Sequence, residues 1–214
     1  MRIDERRQVC LLQPTDFRLR SADRVSITGA SGSGKSVFLR TLALLEAPTS
    51  GEVLWKNQPV DALHIPAYRS RVSYLAQRPA LMEGSVEDNL RFPYSLKVFQ
   101  HLVFNREAVQ TLLGHAGKTT DFLAKNAGDL SGGESQIVAL IRTLQLGPEV
   151  LLLDEPTAAL DPTSAGEVEA LISAWSSASA RAYIWVTHDL AQAQRMSDRR
   201  LHMDTGVLGE GGGR

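Results

Sequence analysis

Short runs of apolar residues recur along the chain, and they predict buried strands. Three of them are Arg24–Thr28, residues 150–153 and Ala182–Val186. Their positions are apolar in succession rather than in alternation, which is typical of parallel strands that helices cover on both faces. Small or polar residues follow each run directly, beginning at Gly29, Asp154 and Thr187. Because ligands of open α/β sheets collect at the carboxyl ends of the strands, the pattern predicts an α/β fold with its chemistry at one edge.

The stretch from about residue 78 to residue 144 has a different pattern. It is mostly helical in periodicity and is interrupted by two prolines and a glycine. We therefore predict a helical lobe that is inserted between two strands of the core. Residues 1–206 are expected to form one domain with this lobe. The glycine-rich residues 207–214 are expected to form a flexible tail.

The N-terminal part of the chain contains shorter strand signals. Residues 9–12 are apolar and predict a buried strand that contains Cys10. Residues 17–20 and 52–55 alternate between apolar and polar side chains, which predicts a small antiparallel sheet. Cys10 is the only cysteine, so the chain cannot form an intramolecular disulfide.

Composition limits the possible environments of the protein. Hydrophobic residues make up 43% and charged residues 22%, which is ordinary for a globular protein, and the formal net charge is −1. This balance gives no strong basic field for nucleic acid. No apolar stretch reaches the roughly 18 to 20 residues that cross a bilayer, and the N-terminus lacks the apolar part of a signal peptide. We therefore expect a cytoplasmic protein that reaches a membrane only through a partner.

Residues 29–36 match the phosphate-loop pattern G-x-x-x-x-G-K-[ST], between a predicted strand and an amphipathic helix. The residues are Gly29, Ala30, Ser31, Gly32, Ser33, Gly34, Lys35 and Ser36. Glycines let the backbone aim several N–H groups at phosphate oxygens, and the helix N-terminus adds its dipole. Lys35 is expected to contact the β- and γ-phosphates, and the hydroxyl of Ser36 to bind Mg²⁺. The motif predicts nucleotide binding.

A pair of carboxylates follows the strand at residues 150–153. Asp154 is expected to hold the Mg²⁺, and Glu155 to act as the general base for the attacking water. An apolar run followed by Asp-Glu is by itself also compatible with a solvated strand end. Beside a phosphate loop, it predicts hydrolysis of the nucleotide.

Residues 130–136, Leu-Ser-Gly-Gly-Glu-Ser-Gln, resemble the signature motif of ABC-type ATPases. Ser131, Gly132 and Gly133 precede an apolar helix at residues 137–144, so they offer either an anion cradle at a helix N-terminus or a simple helix cap. The resemblance implies that this cradle binds the γ-phosphate held by a second copy of the chain. ATP would then be enclosed between two subunits of a head-to-tail homodimer.

Four further residues resemble motifs of the same family. Gln77 is similar to the glutamine that senses Mg²⁺ and the γ-phosphate, and His188 to the histidine that contacts the γ-phosphate. Asp161 resembles the loop residue that crosses the dimer interface beside the nucleotide, and it could equally cap a helix. Arg142 matches an arginine behind the signature and is expected to form a structural salt bridge.

The resemblance covers residues 9–206 and implies a P-loop NTPase (RecA-like) core, with an N-terminal antiparallel β-subdomain and an inserted α-helical subdomain. It also implies ATP and Mg²⁺ as ligands, a separate integral membrane permease as partner, and a position on the inner face of the cell membrane. Two departures stand out. The family usually stacks an upstream aromatic residue on adenine, and this chain offers only Arg6 or Arg7 there. Ile137 occupies a position that is often basic.

The branch of the family is indicated by residues outside the catalytic motifs. Residues 77–90 are similar to exporter-type ATPases, and residues 90–93 and 123–126 to small stand-alone subunits of the iron-export type. A regulatory ATPase of the cell-division type, which signals across the membrane without transport, is the alternative. The presence of the catalytic candidates Glu155, His188 and Gln77 argues against a nucleotide-binding module without chemistry.

Overall fold

The structure is a computed structural model, and it describes residues 1–4 and 9–211. In chain order the strands are β1 (Arg2–Asp4), β2 (Val9–Leu12), β3 (Arg24–Thr28), β4 (Leu54–Trp55), β5 (Gln58–Pro59), β6 (Val72–Leu75), β7 (Val150–Asp154), β8 (Ala182–Val186), β9 (Arg199–Asp204) and β10 (Val207–Glu210). The α-helices are α1 (Lys35–Leu42), α2 (Ile65–Arg71), α3 (Val86–Arg91), α4 (Arg106–His115), α5 (Gly132–Leu144), α6 (Pro162–Ser177) and α7 (Leu190–Met196). Short 3-10 helices cover Phe92–Ser95, Lys97–Phe99, Thr120–Ala124 and Ala127–Asp129.

The central sheet contains six strands in the order β10-β9-β3-β8-β7-β6. The strands from β9 to β6 run parallel, and β10 pairs antiparallel with β9. The three apolar runs identified in the sequence are β3, β7 and β8, which lie side by side in the middle of the sheet. The predicted α/β fold is therefore confirmed, and the carboxyl ends of these strands meet at one edge.

Each face of the sheet is covered by its own hydrophobic core. Leu151 and Leu153 of β7 pack with α5 and α6, whereas Leu152 between them packs with α1 on the opposite face. All three leucine side chains are at most 1% exposed. Burying one such side chain contributes about 1.5–3 kcal/mol. The apolar residues on both faces therefore hold the strand end, and the groups that follow it, in a fixed position.

The predicted helical segment coincides with the region between β6 and β7. It contains α3, α4 and α5 together with the 3-10 helices. Apolar residues at helical spacing, such as Val109 and Leu113 of α4 and Ile137 and Ile141 of α5, are buried in the same core as Leu151. Within residues 1–4 and 9–211, no helix is both long enough and apolar enough to cross a membrane.

The N-terminal strands form two separate antiparallel pairs, β1 with β2 and β4 with β5. The strand predicted at residues 17–20 is wrong: these residues alternate in exposure but form no strand. At residues 52–55 only Leu54 and Trp55 pair. The predicted burial of residues 9–12 holds only for Leu12: Cys10 and Leu11 are partly exposed and Val9 is 49% exposed, because β2 lies in a two-stranded ribbon outside the central sheet.

The flexible tail expected from residue 207 is wrong for Val207–Glu210. These residues form β10, which pairs with β9 through a tight turn at Thr205 and Gly206. Both turn residues have positive φ, 47° and 79°, as the two-residue turns of twisted hairpins require. Residues 212–214 lie outside the described part of the chain.

Candidate functional site

The loop between β3 and α1 folds back tightly at its glycines. A Cβ on Gly29 would lie 2.2 Å from the carbonyl oxygen of Met203, and one on Gly34 would lie 2.7 Å from that of Leu11. Gly34 also has a φ of 107° and stands at the N-cap of α1. Larger residues at these two positions would push the loop away from the neighbouring strands. The compact strand-loop-helix turn predicted from the sequence is therefore observed.

Lys35 is folded into this loop. Its Nζ donates to the carbonyl oxygens of Gly29, at 2.9 Å, and of Ala30, at 2.8 Å, and the residue is only 5% exposed. In the described part of the chain, no carboxylate forms an ion pair with Lys35, and the buried hydroxyl of Ser33 has no hydrogen-bond partner. A buried ammonium group without a counter-ion is costly. The loop is therefore electrostatically suited to an anion such as phosphate.

A carboxylate with defined partners lies beside the loop. The Ser36 hydroxyl, in the first turn of α1, donates to Asp154 Oδ1 at 2.9 Å, and Tyr74 Oη on β6 donates to Asp154 Oδ2 at 2.8 Å. Asp154 is 5% exposed. Hydroxyl and carboxylate oxygens are the ligands that Mg²⁺ prefers, so Ser36 and Asp154 fit such an ion. Burial, together with the Asp154 carboxylate, raises the pKa of Tyr74 to about 12, so its hydroxyl remains a donor.

The side chain of the next residue, Glu155, lies where the carboxyl ends of three strands, β6, β7 and β8, come close together. Its Oε2 lies 3.4 Å from Gln77 Nε2, after β6, and 3.6 Å from His188 Nδ1, after β8. Its backbone has a φ of 47°, which is uncommon for a residue other than glycine, and its N–H donates to the carbonyl of Val186 at 3.1 Å. Gln77 and His188, which the sequence identified separately, thus both lie beside one carboxylate oxygen of Glu155. The Glu155 side chain is 23% exposed, so water can reach it.

Ser131 and Gly132 of the signature lie exposed at the N-terminus of α5, whereas Gly133 is buried. Ser131 is its N-cap: Ser131 Oγ accepts from Glu134 N at 3.2 Å, and Glu134 Oε2 accepts from Ser131 N at 3.0 Å. Hydrogen bonds from Lys125 and from the Ser131 backbone lower the pKa of Glu134. Among the described residues, no hydrogen bond joins Ser131 or Gly132 to the phosphate loop of the same chain. The helix-cap alternative is therefore observed, and it leaves the Ser131 hydroxyl hydrogen free to donate.

Asp161 is also a helix cap. Its Oδ1 accepts from the N–H groups of Thr163, at 3.0 Å, and Ser164, at 3.1 Å, and its Oδ2 accepts from Ser164 Oγ at 2.6 Å. These bonds lower the pKa of Asp161. A Cβ on Gly133 would lie 2.4 Å from Ser164 Oγ, so only glycine fits there. The cap of α6 is thereby packed directly against the signature.

The salt bridge expected for Arg142 is wrong. Arg142 Nη2 instead donates to the backbone carbonyl of Ala80 at 2.9 Å, and no ion pair of Arg142 occurs among the residues with described positions. Burial lowers the pKa of this guanidinium group. Arg142 therefore ties α5 to the segment that follows Gln77. Ile137, on the same helix, is fully buried, which explains an apolar residue at that position.

Sequence reasoning missed Tyr74 as a partner of Asp154. Tyr74 lies three residues before Gln77, on the strand that leads to that glutamine, and this position is the signal that could have identified Tyr74. The suggested adenine contacts, Arg6 and Arg7, lie outside the described residues.

Comparison with known proteins agrees with this geometry. A family model described as ABC transporter matches residues 12–158. The chain is 40% identical over 183 residues to the probable iron export ATP-binding protein FetA of Escherichia coli, covering 84% of this chain and 78% of that protein. It is 38% identical over 188 residues to Protein STAR1 of Oryza sativa, covering 88% of this chain but 54% of STAR1. The dimeric structure of MJ0796, a bacterial ABC transporter cassette, superposes with a TM-score of 0.82 at 26% identity, covering 96% and 93% of the two chains.

The chain therefore belongs to the ABC transporter family. Within that family it is an ATP-binding subunit that hydrolyses ATP, and the resemblance drawn from its motifs is confirmed.

Proposed function

We propose that two copies of this chain close head to tail on two molecules of MgATP and thereby drive a separate membrane permease. The observation that carries the proposal is the buried ammonium group of Lys35, held inside a glycine loop without a carboxylate partner in the described chain. An ATP phosphate supplies the missing negative charge. Ser36 and Asp154, whose Oγ and Oδ1 atoms lie 2.9 Å apart, would hold Mg²⁺ together with Gln77. The ion, when bound, neutralises charge on the phosphate oxygens.

Hydrolysis is assigned to Glu155 together with Gln77 and His188, whose side chains lie beside its carboxylate. Glu155 would take a proton from a water molecule while the oxygen of that water attacks the γ-phosphorus. The bond to the bridging oxygen then breaks, which releases ADP and phosphate. Gln77 and His188, at 3.4 and 3.6 Å from the Glu155 carboxylate, would orient the water and the γ-phosphate.

The homodimer is supported by the position of the signature. Ser131 and Gly132 lie on the surface, at the N-terminus of a 13-residue helix, and they make no hydrogen bond to the phosphate loop of the same chain in its described part. A helix N-terminus attracts anions, so this surface suits the γ-phosphate held by a second copy. The dimeric MJ0796 cassette has the same fold. Asp161, packed beside Gly133 through Ser164, would lie at that interface.

The permease and the direction of transport are inferred from the relatives. The FetA protein is described as a probable iron export ATP-binding protein, and we propose export of a metal ion such as iron by the present system as well. The chain would then act from the cytoplasmic face of the membrane. Partly exposed apolar side chains on the helical lobe, including Met82, Phe92 and Leu96, are suited to contact with a permease.

The nucleotide site is tested by Lys35→Ala. Removing the point charge that pairs with the β- and γ-phosphates should abolish tight MgATP binding in calorimetric titration. Lys97→Ala, which removes an exposed lysine of the helical lobe, is the matched control and should bind as wild type does. Equal affinity of Lys35→Ala and wild type would refute the assignment.

A further inference from the structure

Gln192, on α7, has a side-chain amide whose hydrogen-bonding capacity is fully used. Its Oε1 accepts from Trp185 Nε1 at 3.1 Å and from Thr187 Oγ1 at 2.8 Å. Its Nε2 donates to Thr157 Oγ1 at 2.8 Å and to Glu169 Oε1 at 2.7 Å. An amide offers two N–H donors and two acceptor lone pairs, so all four positions are occupied. The residue is 4% exposed, which makes each of these bonds part of a buried network.

The partners allow only one orientation of this amide. The indole N–H of Trp185 can only donate, so it requires the oxygen of Gln192. Burial opposes ionisation of Glu169, but hydrogen bonds from Arg195 and Gln192 outweigh it and hold the pKa of Glu169 below its usual value. As a carboxylate, Glu169 can only accept. The two ends of the amide therefore cannot be exchanged, and the network has a single arrangement.

The residues held by Gln192 flank the hydrolytic group. Thr157 follows Glu155 by two positions, and Thr187 directly precedes His188. These two segments carry the side chains that meet 3.6 Å apart. In the described structure, Gln192 forms no hydrogen bond with either Glu155 or His188. We infer that Gln192 is a positioning residue for ATP hydrolysis, which fixes the segment carrying Glu155 against the segment carrying His188.

This inference rests on the proposed roles of Glu155 and His188. It predicts that a negative charge on side chain 192 disturbs the network. In Gln192→Glu, a carboxylate oxygen replaces the nitrogen that lies 2.7 Å from Glu169 Oε1. The charged groups around it are Glu169 on α6, Arg195 on α7 and Asp189 at the N-cap of α7, with His188 beyond Thr187. Arg195 already pairs with Glu169 at 2.7 Å, so two carboxylates would share one cation. When the new carboxyl is protonated, it can donate to Glu169 as the amide does.

The test compares wild type, Gln192→Glu and the matched control Gln194→Glu, which changes an exposed residue of the same helix. We measure kcat and KM for MgATP at about pH 6 and about pH 8.5, where a shifted carboxyl is more and less protonated. For Gln192→Glu, kcat should fall about 10- to 100-fold at the higher pH, with partial recovery at the lower pH relative to wild type. KM should stay close to wild type, because the phosphate loop is untouched. Gln194→Glu should match wild type throughout.

A charge-swapped variant supplies the decisive comparison. In Glu169→Gln/Gln192→Glu, the amide and the carboxylate exchange places at nearly constant volume, so one donor–acceptor pair is restored. Its kcat at the higher pH should exceed that of Gln192→Glu by about 5-fold or more. A wild-type kcat for Gln192→Glu, or a loss relieved neither by low pH nor by the swap, overturns the inference. If Gln192→Glu does not fold, Thr157→Val replaces it; an unchanged kcat there also overturns the inference. A wild type without ATPase activity would instead contradict the proposed function.

Discussion

Replacing Tyr74 by phenylalanine should weaken both the fold and the proposed Mg²⁺ site at Ser36 and Asp154. The change removes one oxygen atom, whose hydroxyl donates to Asp154 Oδ2 at 2.8 Å, and it leaves the ring in place. The acceptor is a carboxylate in a residue that is 5% exposed. Hydrogen bonds to charged groups contribute about 1.5–3 kcal/mol. For a chain of 214 residues this loss corresponds to a decrease in Tm of about 3 to 7 °C.

The same substitution should raise the Mg²⁺ concentration that is needed for ATP hydrolysis. Asp154 Oδ1 faces Ser36, so Tyr74 is the group that fixes the other carboxylate oxygen. Loss of such an outer partner typically weakens metal binding about 10- to 100-fold. The assays are calorimetric melting and ATPase activity titrated with Mg²⁺. Tyr94→Phe is the control, because Tyr94 donates at 3.3 Å to the neutral amide of Gln145, and it should lose less than about 1 kcal/mol.

The contribution of Tyr74 also has a defined pH dependence. Its ordinary pKa of 10.0 is raised to about 12 in the folded protein, chiefly by burial. A group whose pKa is higher in the folded state stabilises that state fully below its unfolded pKa. The stability difference between wild type and Tyr74→Phe should therefore be constant at neutral pH and shrink between pH 10 and about 12. Equal Tm values and equal Mg²⁺ titrations for the two proteins would show that the Tyr74 hydroxyl stabilises neither the fold nor the Asp154 carboxylate.

A substitution at Gly133 and a comparison of two nucleotides test the packing of the signature and the recognition of the base. Gly133→Ala places a methyl group 2.4 Å from Ser164 Oγ and should destabilise the protein by about 1–3 kcal/mol, whereas Gly166→Ala, whose Cβ meets nothing within 4 Å, should not; equal melting curves would contradict the packing argument. Discrimination between ATP and GTP should be weak, because the sequence lacks the usual upstream aromatic and base stacking is worth about 1–3 kcal/mol; competition binding with a preference of about 100-fold for ATP would contradict this.

The parts of the site that were predictable are those encoded by local patterns. The phosphate loop that contains Lys35 and the apolar strand before Asp154 each lie within a few consecutive residues, so their geometry follows from nearby sequence. Glu155 and His188 could be placed at one edge in advance because both follow predicted strands, and the carboxyl ends of parallel strands share one edge; Gln77 was identified only through the family resemblance.

The features that sequence reasoning missed depend on partners that are distant in the chain. Arg142 donates to the backbone of Ala80, 62 positions earlier, and any residue type could supply that carbonyl. The strand Val207–Glu210 resembles part of a tail in the sequence because it overlaps the glycine-rich residues 209–214, yet its pairing with β9 is set by the Thr205–Gly206 turn. Residues 17–20 alternate as a strand does, but alternation alone supplies no pairing partner.

In the proposed mechanism, ATP closes two copies of the chain around a composite site. In Glu155→Gln, the side chain keeps its size but cannot accept a proton, so hydrolysis should slow by about 10²- to 10⁴-fold. The loss of a negative charge near the γ-phosphate should also strengthen ATP binding, so the ATP-bound dimer should accumulate. Adding Ser131→Arg should prevent dimerisation, because a bulky side chain at the exposed signature blocks the phosphate cradle.

Size-exclusion chromatography with light scattering, with and without ATP, measures this directly on both variants. We expect a dimer for Glu155→Gln only when ATP is present, with twice the 23.4 kDa mass of one chain, and a monomer for the double variant under both conditions. A monomeric Glu155→Gln at saturating ATP, or a double variant that still dimerises, would contradict the proposed mechanism.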